Sequence, residues 1–243
     1  MGQYLKLTSD GLIYIFDPNI KDFHIDPNLD KVFVESYQKM SHQTMIDASG
    51  CYLLWHLIRE TANLENGAIL EVGAYKGGSG SLISKSARHH GINNKIYICD
   101  TFAGTVKSGQ KDNHYTDGEL VNPSIDLVRN LLSDFKLNDV EVIKGIFPEE
   151  SCDKVKDDKF RFCHIDVDTY QSAKDVLDWV WPKMVQGGIV LFDDYNCHDC
   201  AGITTLVQEE SANDDRFFYT SPQILNLYKI RAGAEIGALF IKK

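Results

Sequence analysis

Two short acidic runs carry the strongest chemical signal in the chain: His164-Ile165-Asp166-Val167-Asp168 and Asp193-Asp194-Tyr195. Each follows an apolar stretch that reads as a buried strand, Arg161–Ile165 and Gly188–Phe192 respectively. Four carboxylates at the ends of neighbouring strands would repel one another strongly in a shared crevice. Asp168 has an ordinary use as the cap of the helix that follows. For Asp166, Asp193 and Asp194 the better account is a divalent cation, and oxygen-only ligands select Mg²⁺, with Mn²⁺ or Ca²⁺ as alternatives.

A second constellation follows the apolar run Ala68–Val72. The sequence Glu71-Val72-Gly73-Ala74-Tyr75-Lys76-Gly77-Gly78-Ser79-Gly80 places glycines where a strand turns into a helix. Glycines there let backbone approach a ligand, and the helix N-terminus favours polar or anionic groups. The spacing is neither GxGxxG nor a P-loop, whose lysine would follow the glycines. Asp100 ends the next apolar run, Lys95–Cys99, 27 positions after Gly73. An acid so placed accepts hydrogen bonds from ribose hydroxyls, or else caps a helix; beside the glycine turn, the ligand reading is favoured. Candidate general bases are Asp166, Asp168, His198 in the loop after the Asp193-Asp194-Tyr195 run, and His114 in the polar stretch Asp112–Gly118. His89 and His90 close a helix, where cations complement the dipole, and His42 precedes a long helix as an exposed cap region or part of a lid. Among the six cysteines, Cys99 and Cys163 sit inside strand runs as small hydrophobes. Cys197-x-x-Cys200 lacks a second such pair to complete a zinc site, so it reads as reduced thiols in a loop, in a reducing compartment such as the cytoplasm.

The elements that must position these groups alternate. Strands at Ala68–Val72, Lys95–Cys99, Val140–Ile143, Arg161–Ile165 and Gly188–Phe192 are separated by helices near Ser81–His90, Ser124–Phe135 and Thr169–Trp181. One more helix and apolar segments at Phe217–Tyr219, Ile224–Ile230 and Ala238–Ile241 follow. Such alternation predicts βαβ crossovers and a mostly parallel, doubly wound α/β sheet, with ligands bound beyond the carboxyl ends of the strands. Residues 1–40 are the least periodic part: Tyr4–Leu7 and Leu12–Phe16 suggest a hairpin, and helical spacing begins at Thr44 and runs to about Leu64. The expected organisation is a single domain over 1–243, with 1–66 as N-terminal extension and lid and 67–243 as the core. With 243 residues, 43% of them hydrophobic, the chain can bury a full core. A formal net charge of -10 argues against nucleic acid as partner. No apolar run reaches the roughly 20 residues of a membrane span, and the opening Met1–Gly11 lacks the pattern of a secretory signal.

Five motifs together resemble the class I S-adenosylmethionine-dependent methyltransferases, specifically the macrocin O-methyltransferase (TylF/MycF-like) family: LEVGAYKGGSGSL at 70–82, YICDTFAGT at 97–105, VIKGIFPE at 142–149, HIDVDTYQSAKDVL at 164–177 and WPKMVQGGIVLFDDYN at 181–196. The resemblance implies a seven-stranded sheet with its last strand antiparallel. It puts Glu71, Gly73, Tyr75, Gly77 and Gly78 around the methionine part of S-adenosylmethionine, Asp100 on the ribose, and Phe102, Gly145 and Phe147 beside the adenosine. It also implies a metal held by Asp166, Asp193 and Asp194. Catechol-type relatives carry a lysine base at the position of Thr169, so a sugar hydroxyl is the favoured acceptor, on a nucleotide-linked sugar or a glycosylated natural product. Asp166 and His198 are the expected catalytic groups. An NAD(P)-dependent oxidoreductase or a nucleoside-binding module on the same sheet are the competing readings, and neither needs the paired Asp193-Asp194. Tyr4, Tyr14 and Phe16 offer an apolar surface for a homo-oligomer contact.

Overall fold

The runs that are apolar throughout become the buried middle of a sheet, because a parallel strand is covered on both faces and cannot alternate. The computed structural model describes residues 4–7, 13–16, 30–121, 123–220 and 237–243. In chain order the elements are a hairpin, β1 (Tyr4–Leu7) with β2 (Ile13–Phe16), then α1 (Lys31–Met40), α2 (Ala48–Glu60), β3 (Ala68–Val72), α3 (Gly78–His89), β4 (Ile96–Asp100) and α4 (Ile125–Asp134). They continue with β5 (Glu141–Lys144), β6 (Phe160–Ile165), α5 (Tyr170–Val180), β7 (Met184–Phe192), α6 (Ala201–Glu210), β8 (Arg216–Thr220) and β9 (Ala238–Lys242). The seven-stranded sheet has the order β5-β4-β3-β6-β7-β9-β8. β3 to β7 run parallel, and β9 lies antiparallel to both β7 and β8. The expected doubly wound sheet with an antiparallel last strand is therefore present. The hairpin turn and the segment Ile224–Ile230 lie outside the described residues.

Side-chain alternation divides the core. Leu70, Val72, Cys163 and Ile165 pack against α5 and α6, through Ala173, Val176, Leu177, Ile203 and Leu206. Ile69 and Phe162 face the other way, onto Leu53, Leu57 and Ile83 of α2 and α3. The chain thus leaves β3 toward β4 and β5 with helices on one face. It leaves β6 toward β7 with helices on the other. That reversal between β3 and β6 is a switch point, where strand ends part and leave a crevice. Among the described residues no helix is long and apolar enough to cross a membrane.

Two local findings go beyond the sequence reading. First, α1 was not expected, yet Phe33, Val34, Tyr37 and Met40 are buried in one cluster with Trp55 and Leu82. Second, Arg161, on the otherwise apolar β6, is only 3% exposed. Its guanidinium donates to the carbonyls of Gly67 (2.9 Å), Thr61 (3.1 Å) and Glu65 (3.0 Å) and to Asn94 Oδ1 (3.0 Å), tying the α2–β3 connection to the start of the sheet. Arg161→Met keeps much of the volume but leaves those acceptors without a donor. It should lower unfolding free energy by about 2 kcal/mol in a urea titration, with cofactor affinity unchanged because the contact lies at the opposite end of the strand.

Candidate active site

A cavity of about 380 Å³ opens at the carboxyl ends of β3, β4 and β6, within the range of roughly 300–1,000 Å³ that suits small ligands. Its floor is set by Gly73. With φ +95° and an added Cβ only 1.6 Å from the Asp166 carbonyl oxygen, this position admits glycine alone. The ends of β3 and β6 therefore come together closely, with Asp166 N–H donating to Val72 O at 3.0 Å. Tyr75, Phe102 and Asp168, following β3, β4 and β6, all have positive φ (48°, 50° and 63°), a backbone cost that clusters at ligand sites.

Asp100 braces this turn as well as bordering the cavity. Its Oδ2 accepts from the N–H groups of Ala74 (2.8 Å) and Tyr75 (2.9 Å), and its Oδ1 from Phe102 N–H (2.7 Å). Burial raises its carboxyl above the ordinary range, and the three N–H donors pull in the other direction. Gly145 and Phe147 also border the cavity.

Four expected cofactor residues stand off the cavity wall, each for a physical reason. Glu71 points between the sheet and α3, where Gly80 leaves it room. It is 1% exposed, and its Oε1 lies 3.1 Å from His164 Nδ1, its partner in the β3–β6 register. Its Oε2 is buried without a hydrogen-bond partner. Gly77 adopts φ +85°, and a Cβ there would stand 2.8 Å from the Val128 side chain of α4. Gly78 gives room to the backbone of Gln43, 2.7 Å from its would-be Cβ. Phe102 packs into the cluster under α1 and α4.

The acidic residues do converge. Carboxylate oxygens of Asp166, Asp193 and Asp194 lie within 4.8 Å of one another, at the cavity. Among the described residues the cation paired with this group is His164, whose Nε2 lies 3.5 Å from Asp193 Oδ1. Burial alone would lower the imidazole; the carboxylates of Asp193 and Glu71 outweigh it and push it up to about 9. Burial and then the charges of Asp193 and Asp194 raise Asp166 far above the carboxylate range. Burial and then Asp168 and Asp193 push Asp194 up to about 8. Burial followed by Asp193 and Asp100 brings Asp168 to about 6. A buried set of like charges with so little positive charge beside it, offering oxygen alone, fits a hard divalent cation.

Asp168 does not cap α5. Thr169 is the N-cap residue, and the Tyr170 N–H donates instead to Asp112 Oδ1 (2.8 Å), reaching in from a distant loop. His198 does not border the cavity: its side chain is 96% exposed and pairs with Asp199 (3.0 Å). His114 is exposed too, edge-on to the ring of Tyr115. Tyr115 and the segment Thr44–Asp47 border the cavity; the segment lies within the 1–66 stretch expected as extension and lid, whereas sequence reasoning missed Tyr115. The only signal for Tyr115 was its place in the polar stretch already singled out for His114. The neighbouring Asn113 clasps the loop after β7 at two points, donating to His198 O (2.7 Å) and accepting from Ala201 N–H (3.1 Å). Loss of roughly 1 kcal/mol there in Asn113→Ala should raise the rate of proteolytic nicking between 196 and 201 about fivefold.

The sequence matches the macrocin-O-methyltransferase (TylF) family over residues 39–214. It is 26% identical over 145 residues to a tetracenomycin-C 4'-O-methyltransferase from Streptomyces olivaceus acting on a rhamnosyl derivative, an alignment covering 55% of each chain. Over 181 residues it is 26% identical to mycinamicin III 3''-O-methyltransferase from Micromonospora griseorubida, covering 68% of this chain and 70% of that one. The match thus spans little more than half the length of the first of these relatives. Among solved structures the O-methyltransferase NovP superposes with a TM-score of 0.66 at 21% identity, covering 83% of this chain and 82% of that one, which is a likeness of fold. With the match extending over most of its length, through the glycine turn and both acidic runs, the chain belongs to the macrocin-O-methyltransferase family.

Proposed function

We propose that the protein moves a methyl group from S-adenosylmethionine to a hydroxyl of a sugar-bearing small molecule, a nucleotide-linked sugar or a glycosylated natural product, with the help of Mg²⁺. One observation carries this reading: a cluster of three carboxylates shares a single cavity with a glycine turn braced by an acid. A nicotinamide oxidoreductase or a nucleoside-binding module would have a use for the turn and none for the cluster. The sugar class rests on the names of the two relatives.

When bound, the cofactor supplies an electrophilic methyl group, and the ion supplies positive charge that makes a hydroxyl acidic. Asp166, Asp193 and Asp194 would hold the ion. Gly73, Tyr75, Asp100, Gly145 and Phe147 would hold the cofactor, with Asp100 keeping the turn in shape around it. Met45, Tyr115 and Leu120, on the same wall, give an acceptor apolar and aromatic surface beside the acids. Asp168 replaces His198 as the group that takes the proton, because it borders the cavity and is free of capping duty. Alignment of the hydroxyl with the methyl group is the main work left to the protein. Thr169 is fully buried, with its hydroxyl donating to Val106 O (2.8 Å), so no base of the catechol type occupies that position. The six thiols are free, in keeping with a reducing compartment such as the cytoplasm.

The test is a panel of nucleotide-sugars, glycosylated lactones and catechols, each incubated with S-adenosylmethionine and Mg²⁺ and read by mass shift. A gain of one methyl group on a sugar acceptor is expected. Methylation confined to catechols would overturn the acceptor class.

A further inference from the structure

The loop after β7 carries a second set of donors with a different chemistry. Cys197 and Cys200 follow Asp194 at intervals of three residues. Successive turns, closed by Cys197 N–H to Asp194 O (3.0 Å) and Cys200 N–H to Cys197 O (3.2 Å), bring the three side chains to the same side. An Asp194 carboxylate oxygen and the two Sγ atoms lie within 4.8 Å of one another. Asp168 Oδ1, on the neighbouring strand end, is 3.9 Å from Cys200 Sγ. Cys197 is exposed and Cys200 buried, both thiols are free, and both border the cavity, so an ion can reach them.

Two sulfurs and one or two carboxylate oxygens form a borderline-soft, four-donor set. Hard ions that demand oxygen are poorly served by it, whereas Zn²⁺ takes such ligands tetrahedrally. Bond lengths of about 2.0–2.3 Å put tetrahedral ligands roughly 3–4 Å apart, a contraction that rotation of the exposed Cys197 side chain can supply. Asn113 holds the loop from outside, so the turns need not form on binding.

We infer that Asp194, Cys197 and Cys200, with Asp168 in reach as a fourth ligand, bind a thiophilic divalent cation, Zn²⁺ foremost. The site adjoins the acidic cluster and shares Asp194 with it. Zinc held there withdraws Asp194 from Mg²⁺ and blocks turnover; this consequence rests on the function proposed above, whereas the thiolate site does not. A rival donor set, Asp30, His89 and His90, also lies within 4.8 Å. There His90 Nδ1 is taken up by Ser86 (2.9 Å to its carbonyl) and Asp30 Oδ1 caps α1.

The full chain, kept reduced with a phosphine, is titrated with Co²⁺ and then Zn²⁺. Thiolate coordination should give an intense near-ultraviolet charge-transfer band at one equivalent of Co²⁺, bleached by Zn²⁺. Cys197→Ser and Cys200→Ser should each remove the band and weaken Zn²⁺ binding by about 100-fold or more, beyond the 10–100-fold typical of outer-shell changes. His89→Ala should leave both intact. Absence of the band from the unmodified protein, undiminished Zn²⁺ binding in the serine variants, or loss of binding in His89→Ala would overturn the site. If the buried Cys200→Ser variant does not fold, the unmodified protein decides. Zn²⁺, and not Mg²⁺, should slow alkylation of Cys197 by iodoacetamide at least about tenfold, and unchanged labelling sinks the proposal. Failure of methyl transfer on every acceptor would leave these absorbance and labelling results untouched, so the two readings fail separately.

Discussion

Asp194→Asn should reduce methyl transfer by about 10³-fold or more while making the metal-free protein no less stable. The two effects have one cause. In the absence of an ion, burial and then the charges of Asp168 and Asp193 hold the Asp194 carboxyl up at about 8. Asparagine cannot take up the buried negative charge that Asp194 acquires as pH rises past about 8, so the melting temperature of the ion-free variant should match that of the parent near neutral pH and exceed it above that value. With Mg²⁺ present the order reverses. The parent gains stability in proportion to ion binding, and the variant, lacking one ligand, gains far less. Loss of several kcal/mol of charge stabilisation in the transition state corresponds to about three powers of ten in rate. Asp194 is a cleaner test than Asp193, whose Oδ1 also faces His164 at 3.5 Å. Melting curves with and without Mg²⁺, together with turnover after EDTA treatment, check the prediction. Full activity in EDTA, or an Asp194→Asn variant retaining a tenth of the parental rate, would remove the metal from the reaction.

Much of the scaffold was legible because buried parallel strands announce themselves as unbroken apolar runs. The strand ends were legible too, since a doubly wound sheet has only one place for its ligands. What escaped was set by non-local geometry. Glu71 sits in the glycine motif but points between the sheet and α3, because strand alternation and the register with His164 direct it away from the cavity. His198 lies close to the acid pair along the chain, yet the turns at Asp194–Cys200 send its side chain outward and bring Cys197 and Cys200 to the cavity instead. Asp168 has the composition of a helix cap, and only the fold reveals that Asp112 has taken that place. Gly77 and Gly78 illustrate a subtler limit. Their need for glycine is real, but Val128 and Gln43 are the neighbours that create it. α1 carries Phe33, Val34, Tyr37 and Met40 at helical spacing within one short segment, too few turns to stand out from the irregular sequence around it.

Asp100→Ala should weaken binding of S-adenosylhomocysteine by about tenfold or more and also lower the melting temperature of the ligand-free protein. A residue that only touched ribose would show the first effect without the second. The structure gives Asp100 three N–H donors of its own, from Ala74, Tyr75 and Phe102, at 2.7–2.9 Å. Hydrogen bonds to a charged acceptor contribute about 1.5–3 kcal/mol each, and a buried donor left without one costs a similar amount. Even if water restores half of that total, about 3 kcal/mol remains to be divided between folding and binding, and half of it is more than tenfold in an equilibrium constant. Part of it falls on folding, because Tyr75 and Phe102 are held at positive φ (48° and 50°). Such strain persists only while surrounding contacts enforce it, and in the variant both residues can relax toward ordinary backbone angles. The turn then loses the shape that a ligand requires, and the remainder of the cost appears as reduced affinity. Asp100→Asn should fall between the parent and alanine, since its one remaining oxygen can still accept while its amide N–H₂ confronts another donor. Calorimetric titration with S-adenosylhomocysteine, paired with a thermal melt of the empty protein, separates the two contributions. An unchanged melting temperature with weakened binding would reduce Asp100 to a ligand contact, and an unchanged dissociation constant would remove it from the cofactor site.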